Sequence, residues 1–291
     1  MIRGLRDWHP LIAAMYFAGL FILLMTTSHP FYLLMIGCAV FTLLYLHDRS
    51  RLFLSSIKGY LFIVLFVMLM NPLFSSRGAT ILGYLFGRAI TLESVLYGLL
   101  FGWKLFLLFF VVQAYERVIE MDRFLYLMGS VLPRTSVVLV MTMRLIPRMK
   151  CRLVESRDIA KDQLPDTGIE KRQLVKGAME QMHTLVEWSL ESALQTAVSM
   201  RARGFGYGKR TSARVYRMET GDRILGLFFL VAGALVLRGF SLGIGNVVFY
   251  PRFEWGTLDV RYLGLFLVWI LLPIIAEGGE RLLWRSMKLK I

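Results

Sequence analysis

Acidic charge is sparse in this chain. Only 20 Asp and Glu stand against 34 Lys and Arg, a net charge of +14 over 291 residues. Cysteine is nearly absent as well. Cys38 and Cys151 are the only two, too few for a disulfide framework or a thiolate metal cluster. Cys38 reads as a small membrane residue and Cys151 as a free cytoplasmic thiol. The four histidines, His9, His29, His47 and His183, are scattered. None shares metal-ligand spacing with another, and no His-Glu-x-x-His occurs, which argues against a zinc hydrolase. No Gly-x-Ser-x-Gly elbow is present, so the serine-hydrolase arrangement is unsupported. A phosphate-binding loop also fails. Gly204-Phe-Gly-Tyr-Gly-Lys209 has Arg203 where the first Gly of a Walker A loop belongs, and Arg210 where its Ser or Thr belongs. The first ten residues run straight into an apolar stretch with no small-residue cleavage site, so no cleavable signal peptide is expected.

What the chain has in abundance is apolar sequence. Hydrophobic residues make up 56% and mean hydropathy is +0.58, outside the range of an ordinary soluble domain. Six stretches are apolar enough to enter a bilayer: Leu11–Thr27, Phe31–Leu46, Tyr60–Phe74, Leu92–Tyr115, Ile224–Leu237 and Tyr262–Ala276. Ser28-His29-Pro30 separates the first two as a helical-hairpin turn. Pro72 and Pro273 fall near span ends, where a lost backbone hydrogen bond is tolerated. The expected fold is an all-α integral membrane protein of about six transmembrane helices. Glu93, Lys104 and Glu116 bracket the fourth span, and Lys104, near its middle, is a functional candidate by position.

Basic residues orient these spans. The N-terminus, the loop after the second span, the long segment 116–223 and the C-terminal tail together carry 28 Lys and Arg. The opposite loops carry four: Arg77, Arg88, Arg252 and Arg261. Lys104 and Arg238 lie inside or at the ends of spans. Both termini and the long insert are therefore expected in the cytoplasm of a multi-pass cell-membrane protein. The positive balance then reflects topology and contact with the lipid bilayer, and no nucleic-acid partner is expected. The organisation reads as residues 1–115, four N-terminal spans; 116–222, a cytoplasmic helical region; and 223–291, the C-terminal spans.

The insert is too apolar and too helical in period for a soluble domain. Pro133-Arg-Thr-Ser136 reads as a turn with an N-cap. An apolar run, Val137–Leu145, follows, and then Arg144, Arg148 and Arg152 enter four apart, with Ile146, Met149 and Leu153 on another face. Pro147 is expected to kink this first helix, and Asp162–Gly168 to end it. The second helix spans about Gln173–Arg203. Val186, Leu190, Ala193, Ala197 and Met200 mark one apolar face. Glu187, Gln195 and Ser199 form a polar stripe at spacing four, with Glu191 between them, and one further step reaches Arg203. Gly204 stops the helix. Each helix thus ends its amphipathic run near an arginine among small residues, Ser156-Arg157-Asp158 and Ala202-Arg203-Gly204. An arginine with small neighbours can enter a groove that bulky ones would block, and its fork of donors suits carboxylates and carbonyls. The same arginines would also serve as positive helix ends at the headgroups.

At these residues the chain resembles the transmembrane T component of energy-coupling factor transporters, importers of the ATP-binding cassette type. The likeness extends to Asn71-Pro-Leu-Phe74 with Arg77-Gly78, Ile90-Thr-Leu-Glu93 leading to Tyr97-Gly98, Leu132-Pro-Arg134, Arg144-Leu-Ile-Pro147 and Lys209-Arg-Thr211. The resemblance implies a non-catalytic coupling subunit with two cytoplasmic coupling helices. Each would dock an arginine, here Arg203 within Ala202-Arg203-Gly204 and Arg157 beside Ser156, into one of two cytoplasmic ATPase subunits. Val186, Leu190, Ala193, Ala197 and Met200 would form the packing face, toward the first coupling helix, the membrane surface or the substrate-binding S component. No cofactor or metal is implied for this chain, and ATP and Mg would be used by the partner ATPases. Asp158 stands where the motif has a small residue and is expected to compete for the Arg157 guanidinium.

The implied work is uptake of vitamins or other micronutrients. Two other readings remain open from the residues: a T component dedicated to a cobalt or nickel importer, and a membrane-bound lipid-modifying enzyme whose basic insert holds phosphate headgroups. The topology is directly testable. In intact cells a cysteine at Gly168 or at the C-terminus should stay unreactive toward an impermeant thiol reagent and react after permeabilisation. Labelling from outside would overturn the orientation.

Overall fold

The computed structural model describes residues 5, 8–47, 52–74, 78–85, 88–162, 171–208, 216, 218–249, 255–256 and 259–288. The fold is mostly helical, in chain order α1 (Pro10–Thr26), α2 (Pro30–His47), α3 (Leu52–Phe74), β1 (Ile81–Leu85), β2 (Arg88–Thr91), α4 (Leu92–Val118), α5 (Met121–Val131), α6 (Pro133–Asp162), α7 (Lys171–Ala202), α8 (Thr220–Ser241) and α9 (Val260–Lys288). Among the described residues, three helices are long and apolar enough to cross a membrane: Leu92–Val118, Thr220–Ser241 and Val260–Glu280. Three further apolar stretches are shorter: Pro10–Thr26, Pro30–Leu46 and Lys58–Phe74. The chain divides into two compact units, Met1–Phe124 with Tyr216–Ile291, and Leu125–Val215.

Local chemistry sets the helix starts. α1 and α2 each open on His-Pro. Proline at the first helical position gives up an N–H that would have no partner there. The preceding histidine then caps the turn: His9 Nδ1 accepts from the Leu11 N–H at 3.3 Å and His29 Nδ1 from the Phe31 N–H at 3.2 Å. A ring nitrogen that accepts is unprotonated, and burial pushes the His29 pKa below its ordinary value. Thr91 caps α4 through Ser94 N–H at 3.4 Å, and Glu219 with Asp222 forms a capping box on α8. α6 begins at Pro133, one turn earlier than a cap at Ser136 would place it. The Ser136 hydroxyl instead donates to Leu125 O at 3.2 Å. α6 runs on as one helix through Pro147.

In the larger unit, five helices close a circuit. α1 packs on α8 and α4, α4 on α2, α2 on α9, and α9 back on α8. Trp269 of α9, 1% exposed, sits inside it. Its ring lies against Tyr16 with centroids 5.0 Å apart and against Phe229 at 5.7 Å. A Cβ at Gly19 of α1 would come within 2.8 Å of the indole, and one at Gly233 of α8 within 3.5 Å. The latter is ordinary van der Waals contact, and the indole N–H donates to Phe229 O, one turn before Gly233, at 3.1 Å. Gly19 thus makes the seat, and one carbonyl fixes the ring in it.

α3 lies on α4 outside this circuit. A Cβ at Gly98 would meet Met68 O at 3.0 Å, and one at Gly102 would meet Val64 and Met68 at 3.4 Å. The two glycines are four apart, the spacing that brings membrane helices into close backbone contact. The β1–β2 hairpin joins α3 to α4. The all-helical expectation did not include it. Glu93, buried, holds its entry by accepting from the Thr80 hydroxyl at 2.8 Å and the Thr80 N–H at 3.2 Å. At the other end of the chain, buried Glu277 accepts from Leu5 N–H at 3.0 Å and ties the N-terminal segment to α9.

Trp269 gives a clear expectation. Trp269→Ala should cost about 3–5 kcal/mol, as large core truncations do. Trp269→Phe should cost less, keeping most of the volume while losing the bond to Phe229 O, worth roughly 1 kcal/mol. Gly19→Leu should destabilise through overlap with the indole. Melting of the purified variants in detergent checks the ranking, and equal loss from Phe and Ala would assign the effect to the hydrogen bond alone.

Candidate functional site

The smaller unit carries every residue expected at a docking site. Its two long helices, α6 and α7, pack on each other. Arg152 of α6 lies over the Trp188 ring at 5.8 Å from its centroid and pairs with Glu155 at 3.2 Å. Among the described side chains of α7, Leu185 is the buried one, with Trp188 half-buried one turn on. A groove of about 400 Å³ follows this contact, lined among others by Arg152, Glu155, Ser156, Leu185, Trp188 and Glu191.

Ser156 is half-buried at that groove, and Arg157, next to it, is exposed. No ion pair joins Arg157 to Asp158 among the described residues. The expected competition by Asp158 is therefore not realised: both side chains are exposed, and water solvates each charge at little cost.

Ala202, Arg203 and Gly204 form the end of α7. Ala202 is its last residue. Arg203 N–H donates to Ser199 O at 3.1 Å, Gly204 N–H to Arg201 O at 2.9 Å, and Phe205 N–H to Met200 O at 3.0 Å. With Gly204 at φ +77°, these bonds make a Schellman motif. The Ala-Arg-Gly triplet thus has a backbone reason for its glycine: a left-handed residue must follow the C-cap, and Arg203 is that C-cap. Its side chain is exposed and makes no ion pair among the described residues. Arg157 and Arg203 are not brought together. Ser156 lines the groove near Leu185, and eighteen residues of α7, about 27 Å of helix, separate that level from Arg203.

The apolar face of α7 is displaced from any role against α6. Val186 is 54% and Leu190 60% exposed, Ala193 and Ala197 are exposed, and Met200 is half-buried. The side turned to α6 is a different one, with Leu185 and Trp188. Of the three covers expected for Val186, Leu190, Ala193 and Ala197, the described side chains of α6 do not supply one, since all four residues are exposed. The open face is also wider than expected, because Met179, Met182, Leu194 and Val198 are exposed beside it. The sequence signal for the true contact was the single indole of Trp188 among polar neighbours, which periodicity alone does not single out. The polar stripe is exposed at Glu187, Glu191, Gln195 and Ser199, and Gln195 donates to Glu191 at 3.2 Å.

Lys104, in the larger unit, is accounted for structurally. Its ammonium donates to the carbonyls of Met25 and Thr27, the latter at 3.2 Å, at the C-terminal end of α1. A cation there satisfies terminal carbonyls and complements the helix dipole.

Set against known protein families and against curated proteins, the chain matches none.

The end of α7 can be probed apart from any function. Gly204→Ala places a Cβ in the left-handed region at a cost of about 1–2 kcal/mol. Amide hydrogen exchange at Phe205 and Gly204 should accelerate about tenfold or more, while α7 near Leu185 keeps its protection. Unchanged exchange at both amides would contradict the Schellman ending.

Proposed function

We propose that this chain is the membrane coupling subunit of an energy-coupling factor type importer. In this reading all six apolar segments span the membrane, with both termini and the α6–α7 unit in the cytoplasm. Arg157 and Arg203 each dock on one of two ATPase subunits. The open face of α7 is covered by an S component, which carries the substrate. The chain turns over no substrate itself: it passes ATPase closure to its membrane partner.

The observation that carries the proposal is the presentation of Arg203. A 32-residue helix ends in a Schellman turn whose C-cap is an exposed arginine with no ion pair among the described residues, flanked by alanine and glycine. A guanidinium so placed is preorganised to enter a partner's groove, and its five fixed donors match carboxylate and carbonyl acceptors. The exposed Val186 and Leu190 side supports a second, apolar partner on the same helix, because a lone amphipathic helix does not leave such a face in water.

Truncating one side of a buried charged contact costs about 2–5 kcal/mol, roughly 30-fold to several-thousand-fold in affinity. Arg203→Ala should therefore sharply reduce uptake and ATPase co-purification. Arg203→Lys should rescue in part, since an ammonium cannot reproduce the fork. Arg157→Ala should fall comparably, as its guanidinium is not engaged by Asp158, and the double variant should be inactive. Leu190→Asp should lower recovery of the S component while sparing ATPase binding. If Arg203→Lys matched wild type, charge at the headgroups would explain the residue. A fully active Arg203→Ala complex would sink the coupling assignment, and turnover by the isolated chain would favour an enzyme.

A further inference from the structure

The N-terminal two-thirds of α6 carries charge of a single sign. From Pro133 to Leu153 there are five basic residues, Arg134, Arg144, Arg148, Lys150 and Arg152, and no Asp or Glu; Glu155 is the first acid. All five are exposed. Arg152 is engaged by Glu155 and the Trp188 ring. The other four make no ion pair among the described residues. At about 100° per residue, Arg134, Arg144 and Arg148 fall within roughly 80° of arc. Apolar side chains stand open on the same stretch: Val138, Met141 and Ile146 are exposed.

The combination discriminates between partners. An acidic protein surface or a nucleic acid would answer the cations and leave Val138 and Ile146 against polar groups. An apolar protein groove would answer Val138 and Ile146 and strand the arginines. A bilayer interface answers both at neighbouring depths, with hydrocarbon for the one and anionic headgroups for the other. Long Arg and Lys stems also let the charged ends reach phosphates while their methylenes stay with the acyl chains.

We propose that the Pro133–Leu153 part of α6 is an interfacial anchor, in which Arg134, Arg144 and Arg148 bind anionic phospholipid headgroups and Val138 and Ile146 enter the acyl region. The site is separate from Arg157 and Arg203, and it does not depend on the coupling function proposed above.

The test uses the full chain with Cys38 and Cys151 changed to Ser and one spin label at position 138 or 146. Proteoliposomes of phosphatidylcholine with phosphatidylglycerol hold the protein, and power saturation compares oxygen with a water-soluble nickel chelate. Both labels should be open to oxygen and shielded from nickel. In parallel, native mass spectrometry counts the phosphatidylglycerol and phosphatidylcholine retained by the purified chain. At about 1 kcal/mol per basic residue, Arg144→Gln with Arg148→Gln should weaken phosphatidylglycerol retention about 30-fold and leave phosphatidylcholine unchanged. Arg144→Lys with Arg148→Lys keeps the charge and should behave as wild type. Labels open to nickel would place this face in water, and labels closed to both reagents would place it under protein. Either result overturns the proposal, as does phosphatidylglycerol retention that the Gln pair does not change.

Discussion

The larger unit depends on a single ring finding room. Trp269 fits the helix circuit because Gly19 has no side chain to overlap the indole, and it is held there by its bond to the Phe229 carbonyl. α1, α8 and α9 are locked by that one indole. Its neighbours Tyr16 and Phe229 then carry the aromatic packing outward to Trp8, Phe17 and Tyr115. α4 closes the circuit on the other side, where Lys104 caps α1 and Gly98 and Gly102 receive α3. These joins pair a large or charged group with a glycine or a backbone carbonyl, while α2 meets α9 through the Tyr32–Phe266 ring contact. That economy suits an apolar surrounding, where close contact and satisfied carbonyls must supply what the hydrophobic effect does not.

Much of this arrangement was legible along the chain because apolar runs and helix boundaries are local properties. The stretch read as Leu11–Thr27 is α1, Pro10–Thr26, and the fourth stretch begins at Leu92 with α4. α3 is longer than its apolar run, since Leu52–Gly59 is helical despite Ser55, Ser56 and Lys58. The His-Pro pairs that open α1 and α2 are a local cap signal, one that metal-ligand spacing does not register. The β1–β2 hairpin was hidden inside a short loop between two strong helical patterns. The circuit itself was beyond periodicity: which glycine receives which tryptophan is a pairing over 250 residues of chain.

The candidate site divides along the same line. The glycine stop after Arg203 follows from local backbone chemistry and was legible. Which side of α7 meets α6 was not, because the contact rests on an indole and a guanidinium and not on an apolar stripe. A cation over a ring face gains from electrostatics that hydropathy does not register. The consequence is that α7 keeps its most apolar side open, a choice that only the pairing of Arg152 with Trp188 explains.

That pairing also fixes where α7 is held and where it is not. The contact with α6 lies at Leu185 and Trp188, while the helix runs on to Ala202. About fourteen residues, roughly 21 Å, extend past the indole as a stiff lever. A rotation of about 10° at Trp188 carries the tip through roughly 4 Å, more than the reach of a hydrogen bond. The Schellman turn keeps the last carbonyls tied, so the displacement arrives at Arg203 undiminished by fraying. Force applied at the tip acts as a torque on the Arg152–Trp188 contact, whose stacked charge can slide across the ring face without breaking a directional bond.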